Sequence, residues 1–272
     1  MTILIVASLI DLASVNIADK LIKEYGFEET ERSFSRKPVY KKNDLVLAYL
    51  DVDDVYAEDV DEIFKAEEVI FASRHQSESR EPTLTVHVPG NVVEKADFGG
   101  RPGSLAWAHP QRMKAALMAL TQAKDEYGLT EYSVSLEVTH HGPTELMTPA
   151  MFVEIGSSES QWTDVKAGYA VAKAIWAGGT KPVDSQSCVG FGGGHYATKH
   201  TKMTLEEDLA IGHIFSKYAF IEGFNPSLIA TSFRKTYGGC KLATIDWKGV
   251  RSDNRRKLIE VLTDLNIDII RC

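Results

Sequence analysis

Six of the eight histidines in this 272-residue chain fall where extended apolar runs end. His75 follows EVIFAS, His87 lies near the end of LTVHV, and His140 and His141 come directly after SVSLEVT. His195 and His200 lie in and just after GFGGGHYATKH, whereas His109 and His213 fall on helical patterns. Imidazole titrates near neutral pH, so it can move protons or, when neutral, ligate a metal. In open α/β sheets the loops beyond the strand carboxyl ends converge on one crevice, where six histidines can share a site. The plainer reading of any single one is a loop cap or a local hydrogen bond.

His140-His141 is the sharpest local signal. Glu137 stands three positions before it, and Gly142-Pro143-Thr144 turns the chain after it. Neighbouring side chains of a strand point to opposite faces, so the pair can serve one site only where the backbone bends. One of the two is expected to face the crevice while the other is structural. Glu154, inside the apolar run MFVEIG, is a carboxylate that burial would oblige to be paired, hydrogen-bonded or metal-bound. It is a salt-bridge partner, a ligand, or an acceptor that orients a histidine.

GFGGGHYATKH fits neither phosphate motif. His195 occupies the place of the third glycine in GxGxxG, and no GxxxxGK is present. The stretch Gly192 to Gly194 allows positive φ or close substrate approach and delivers His195 at the end of a turn. Loop amides there can hold an anion or an oxyanion. Gly193, Gly194, Tyr196 and Lys199 are therefore candidate substrate contacts, the tyrosine as a face for a base or sugar. SRHQSESREPTLTVHVPGN, residues 73 to 91, adds Arg74, Ser77 and Asn91 as candidates for phosphate or a terminal nucleotide, unless it is a solvated loop. Further candidate phosphate contacts are Arg80, Lys202, Arg234, Lys235 and the cluster Arg251, Arg255, Arg256 and Lys257, which also reads as a solvated helix face. No G-x-S-x-G elbow is present.

The elements that must position these groups read as strands at 3–8, 45–50, 68–73, 84–88, 133–139, 151–156 and 267–270, with helices at 107–127, 161–177 and 252–263. Several strands are continuously apolar, which implies burial on both faces between helices. The expected architecture is a three-layer α/β/α sandwich around a mostly parallel or mixed central sheet, formed by residues 1–272 as one domain. Residues 89–106 read as a long loop. The net charge of −8 argues against a general nucleic-acid coat, and no DNA partner is expected. No apolar run is long enough to span a bilayer, so a cytoplasmic protein without a membrane partner is expected, as a monomer. Three widely spaced cysteines suit neither a disulfide framework nor a CxxC zinc site.

SRHQSESREPTLTVHVPGN, EVTHHGPTE and GFGGGHYATKHT, taken in order, resemble the hallmark segments of the archaeal and plant type D-aminoacyl-tRNA deacylase. The resemblance covers most of the chain. It implies a phosphorylase/hydrolase-like fold related to peptidyl-tRNA hydrolase, zinc, and hydrolysis of the ester joining a D-amino acid to the terminal adenosine of tRNA. It also implies active-site segments at Ser73 to Ser79, His87 to Asn91, Glu137 to Thr144 and Gly190 to His195. The family often carries proline two positions after its tyrosine, where this chain has Thr198.

On that basis zinc would be held by two or three groups from His140, His141, Glu154 and His195. His87 or His75 would relay protons to the leaving ribose oxygen. A metal-free alternative uses one histidine, His195 foremost, as general base with the glycine-loop amides as oxyanion hole. Discrimination against L-amino acids needs a clash, which PGN or the glycine stretch would impose. Competing readings are a metal-dependent aminopeptidase or nucleoside phosphorylase on a similar sandwich, and a non-catalytic module that binds the tRNA acceptor end.

Overall fold

The computed structural model describes residues 1–223 and 225–272. In chain order its strands are β1 (Ile3–Ser8), β2 (Glu28–Phe34), β3 (Lys37–Lys42), β4 (Leu45–Leu50), β5 (Glu68–Gln76), β6 (Thr83–His87), β7 (Gly90–Asn91), β8 (Ser104–Leu105), β9 (Ser133–Leu136), β10 (Ala150–Ser157), β11 (Gln186–Phe191), β12 (Leu209–Phe215), β13 (Leu242–Ile245) and β14 (Asp268–Arg271). The large sheet is mixed, in the order β2-β3-β4-β1-β5-β10-β6-β9. Its centre, β4-β1-β5-β10, is parallel, and β6 runs antiparallel to β10. This is the expected α/β class with a mixed sheet.

A second, parallel sheet of order β12-β11-β13-β14 was not foreseen. Its strands are short, and GFGGGHYATKH, read as one glycine-rich stretch, contributes Gly190 and Phe191 to the end of β11. His213 accordingly lies inside β12 and not on a helix. A seven-residue apolar run is too short for periodicity alone to separate strand from buried helix. His109 stands just before the helix Pro110–Glu126, with Pro110 at its first position, where a missing N–H costs nothing. The helical pattern at 161–177 resolves into Glu159–Trp162 and Val165–Thr180, the second capped by the Asp164 carboxylate.

Burial on both faces explains the unalternating strands. Ile3, Ile5 and Ala7 of β1 pack with the helices Leu12–Tyr25, Pro110–Glu126 and Val165–Thr180. Leu4 and Val6 face the opposite side with Val69, Phe71, Ala150 and Phe152. Register continues this second face toward the strand ends. Phe152 pairs with Phe71 and His87, Glu154 with Ser73 and Thr85, and Gly156 with His75 and Thr83. One sheet face thus passes from hydrocarbon to ionisable groups within three rungs, the edge between core and site.

Phe152 marks that edge. It is fully buried, stacks on Phe71 with centroids 4.5 Å apart, and lies nearly parallel to the His87 ring at 5.1 Å. Phe152→Ala should therefore lower the unfolding free energy by about 3–5 kcal/mol in denaturant titration. A loss below about 1 kcal/mol would show that this layer does not support the site above it.

Candidate active site

Three backbone devices bring the imidazoles together. The first is the register of β5 against β10, which sets His75 beside Gly156. A Cβ on Gly156 would lie 2.9 Å from His75 Cδ2 and 2.3 Å from Thr83 Oγ1, so the glycine makes the space that the ring fills. The second is the bend after β9, where His140 bridges to Pro89 and His141 adopts φ 46°. Both rings therefore turn to the same side, with centroids 4.4 Å apart and 4.3 and 4.8 Å from His87. The expectation that only one of the pair faces the site is corrected.

The third device is the glycine turn. Gly192 and Gly193 take φ 96° and 92°, a region that L side chains rarely adopt. The reversed chain then lies antiparallel to the end of β9, with the Val138 N–H donating to the His195 carbonyl and the Ala197 N–H to the Leu136 carbonyl. Tyr196 consequently bridges to Glu137, and His195 Nε2 lies 3.0 Å from Glu137 Oε2.

Glu137 is the centre of the cluster and had no role in the sequence reading beyond its segment. It is fully buried, with His75 Nδ1 at 3.2 Å and His140 Nε2 at 3.5 Å in addition to His195. Glu154 Oε2 accepts from the Thr85 hydroxyl at 3.2 Å and lies 3.6 Å from His87 Nε2. The Tyr196 hydroxyl meets His75 Nε2 at 3.1 Å.

Burial divides the two acids. It raises both carboxyls, but at Glu137 the adjoining His195 and the charges of His75 and His87 outweigh it and hold the group at about 2. Glu154 is pushed up to about 8 by burial and by the Glu137 charge. Burial lowers His195 as well, yet the Glu137 carboxylate beside it raises the ring overall. His87 falls to about 4 and His141 to about 3, chiefly through burial, and His140 drops well below the usual range for the same reason. The centre thus holds a fixed anion, a carboxyl able to keep its proton at neutral pH, and three neutral imidazoles.

Those three rings share an orientation. Nδ1 of His87, His140 and His141 lies 3.3, 2.8 and 2.7 Å from the carbonyls of Val88, Val138 and Gly142. A carbonyl only accepts, so each Nδ1 carries the hydrogen and each Nε2 keeps its lone pair, the arrangement of a metal-ligating histidine. Ligand atoms lie within 4.8 Å of one another in His87–His140–His141, in His75–Glu137–His195 and in His87–Glu137–Glu154. His87 Nε2 is buried without a hydrogen-bond partner among the described residues, and the Glu137 oxygens have only the approaches of His75, His140 and His195 at 3.0–3.5 Å. Such converging atoms fit a cation.

The cluster floors a cavity of about 780 Å³ whose walls include Asp53 to Tyr56, Ser73 to Glu78, Arg80 and Phe98. Arg74 and Ser77 face this cavity. Arg74 is braced by Asp53 at 2.9 Å and by Asp11, which accepts from the Arg74 backbone N–H at 2.8 Å.

Several sequence-selected residues lie elsewhere. His200 is fully buried in the helix Thr198–Glu206, so five strand-end histidines converge and not six. Lys199 pairs with Asp246 at 2.6 Å. Gly193 and Gly194 do not wall the cavity, and the Gly193 carbonyl accepts from Lys217 N–H. Asn91 is buried, its amide donating to the carbonyls of Gly99 and Arg101. Lys235 and Arg255 likewise serve backbone carbonyls, those of Leu105 and of Trp247 and Val250. His87 has no exposed surface, which puts it out of reach of a leaving group.

Gly156→Ala tests this geometry, because the new methyl crowds both Thr83 and the His75 ring while no cavity side chain is itself replaced. Turnover should fall on the order of 100-fold with the fold retained. Unchanged turnover would show that the position of His75 is immaterial.

The chain is similar to known proteins. Residues 61–270 match the family model described as D-aminoacyl-tRNA deacylase. The D-aminoacyl-tRNA deacylase of Thermococcus kodakarensis is 39% identical over 96% of this chain and 97% of its own, and that of Methanosarcina barkeri is 36% identical over 99% and 89%. A crystal structure described as a conserved protein of unknown function superposes with a TM-score of 0.90 at 34% identity, covering 99% of this chain and 95% of that one. The chain belongs to the D-aminoacyl-tRNA deacylase family.

Proposed function

We propose that this protein hydrolyses the ester of D-aminoacyl-tRNA, releasing the D-amino acid and free tRNA, with the acceptor end entering the cavity above Glu137. The observation that carries this reading is the convergence of His75, His140, His141, His195 and Glu154 on one cavity, with His87 and Glu137 buried against them, in a member of this family. An aminoacyl ester is already activated, so the site has to orient water, polarise a carbonyl and return a proton to the ribose oxygen.

Zinc is the proposed cofactor, with His87, His140 and His141 as ligands through Nε2. When bound, such an ion lowers the pKa of a coordinated water toward neutrality and polarises a carbonyl. The protein's own groups do the rest. His195 is the most open imidazole of the cluster, its side chain 42% exposed above Glu137. Glu137 orients its ring and stabilises the imidazolium formed when it accepts a proton, as a buried acid does for a catalytic base. His75, held between Glu137 and the Tyr196 hydroxyl, joins the cavity to that carboxylate and can pass the proton on.

Neither PGN nor the glycine turn reaches the cavity, so the clash against an L side chain is assigned to the walls at Asp53 to Tyr56 and Ser73 to Ser77. Among the described residues no helix is long and apolar enough to cross a membrane, which suits the proposed cytoplasmic role in translation.

Deacylation of matched D- and L-aminoacyl-tRNA, before and after chelation, tests the reading. The D-ester should turn over on the order of 100-fold faster, and chelation should abolish the rate until zinc is restored. Equal rates for both enantiomers would contradict the chiral assignment. Full activity in a verified metal-free sample would contradict the zinc assignment.

A further inference from the structure

Two large aromatic side chains stand exposed at the mouth of the cavity, Phe98 at 68% and Tyr56 at 59%. Exposure of this kind on a mobile loop would mean little. Here the backbone beneath is held on several sides. The Asn91 amide donates to the carbonyls of Gly99 and Arg101, Gly142 N–H donates to the Phe98 carbonyl at 2.9 Å, and Arg101 N–H donates to the Thr144 hydroxyl at 2.8 Å. Gly99 lies so close to the turn Asp54–Tyr56 that a Cβ on it would be 2.0 Å from the Val55 carbonyl oxygen and 3.4 Å from the Tyr56 ring. Two rings that the folded core leaves in water are thus carried on adjoining, hydrogen-bonded backbone segments at the same mouth.

We propose that Phe98 and Tyr56 form a stacking platform for the purine base of the 3′-terminal adenosine. This rests on the reading that the ester carried by that adenosine is cleaved at the cavity floor. The ester and the base hang from the same ribose. When the acyl carbon reaches His195, the base cannot go deeper, because His87 and Glu137 below are closed to solvent. It must lie at the mouth, where the rim carries the two exposed rings. Base recognition by an aromatic face needs no hydrogen-bond readout, as suits a nucleoside common to all acceptor ends. The buried Asn91 then acts indirectly, by holding the loop that presents Phe98.

Binding of an uncharged acceptor-stem RNA hairpin, ending in adenosine or in an abasic ribose, tests the platform without requiring turnover. The unaltered protein should bind the adenosine-ended hairpin about tenfold more tightly. Phe98→Ala and Tyr56→Ala, both at exposed side chains, should weaken that binding and narrow the difference between the two hairpins, and Phe98→Trp should restore it. The proposal is overturned if the alanine variants discriminate as the unaltered protein does, or if they lose equally on both hairpins. It is also overturned if Phe98→Ala dissociates an oligomer with discrimination unchanged, since the rings would then contact a second copy. The rate of the unaltered protein on D-aminoacyl-tRNA reports separately on the function. No turnover with intact discrimination would remove that reading and leave the platform standing.

Discussion

The burial of the Glu137 charge is the constraint on which the site depends. A carboxylate removed from water must be compensated, and no lysine or arginine approaches it among the ion pairs of the described residues. Its compensation is a shell of imidazoles, which can share a proton or share a metal. That one anion raises His195 against the effect of its burial and adds to the burial that pushes up Glu154, while His87 is lowered by its own burial. An ionised acid among neutral imidazoles is the environment that the proposed cation would need.

The fold's contribution is placement. Alternation along β5, β10 and β6 puts His75, Glu154 and His87 on the face that begins as the Phe71–Phe152 core. Packing density below the site therefore fixes ring positions above it, since a close-packed layer transmits displacement. The second sheet contributes through one connection, the turn after β11, which lays His195 and Tyr196 along the end of β9. The walls and mouth come from the segments after β4, β5 and β7 and from the end of β5, which also carries His75.

Much of this was legible because strand ends are legible. Continuous apolar runs located β1, β4, β5, β6 and β10, and histidines at their ends pointed to one crevice. Glu154 stood out as an acid in hydrocarbon. Glu137 carried the same signal at the end of SVSLEV, but the adjacent His140-His141 drew attention from it. What alternation could not supply was the conformation of single residues. The left-handed backbone at His141 turns both rings of the pair inward, and sequence spacing alone predicts opposite faces. Of the two readings of the glycines of GFGGGHYATKH, the turn that delivers His195 is what Gly192 and Gly193 form, while Gly193 and Gly194 do not wall the cavity. Lys199 and Asn91 are polar in a promising segment, but their partners, Asp246 and the Gly99 carbonyl, are distant or unmarked in sequence.

The most direct test of this account is zinc affinity in Glu137→Gln, measured by competition with a chromophoric chelator on folded protein. The substitution keeps the shape and removes the charge. The account predicts an affinity at least about tenfold weaker, with secondary structure and melting behaviour close to those of the unaltered protein. Undiminished zinc binding by the glutamine variant would show that the buried carboxylate is not what organises the centre.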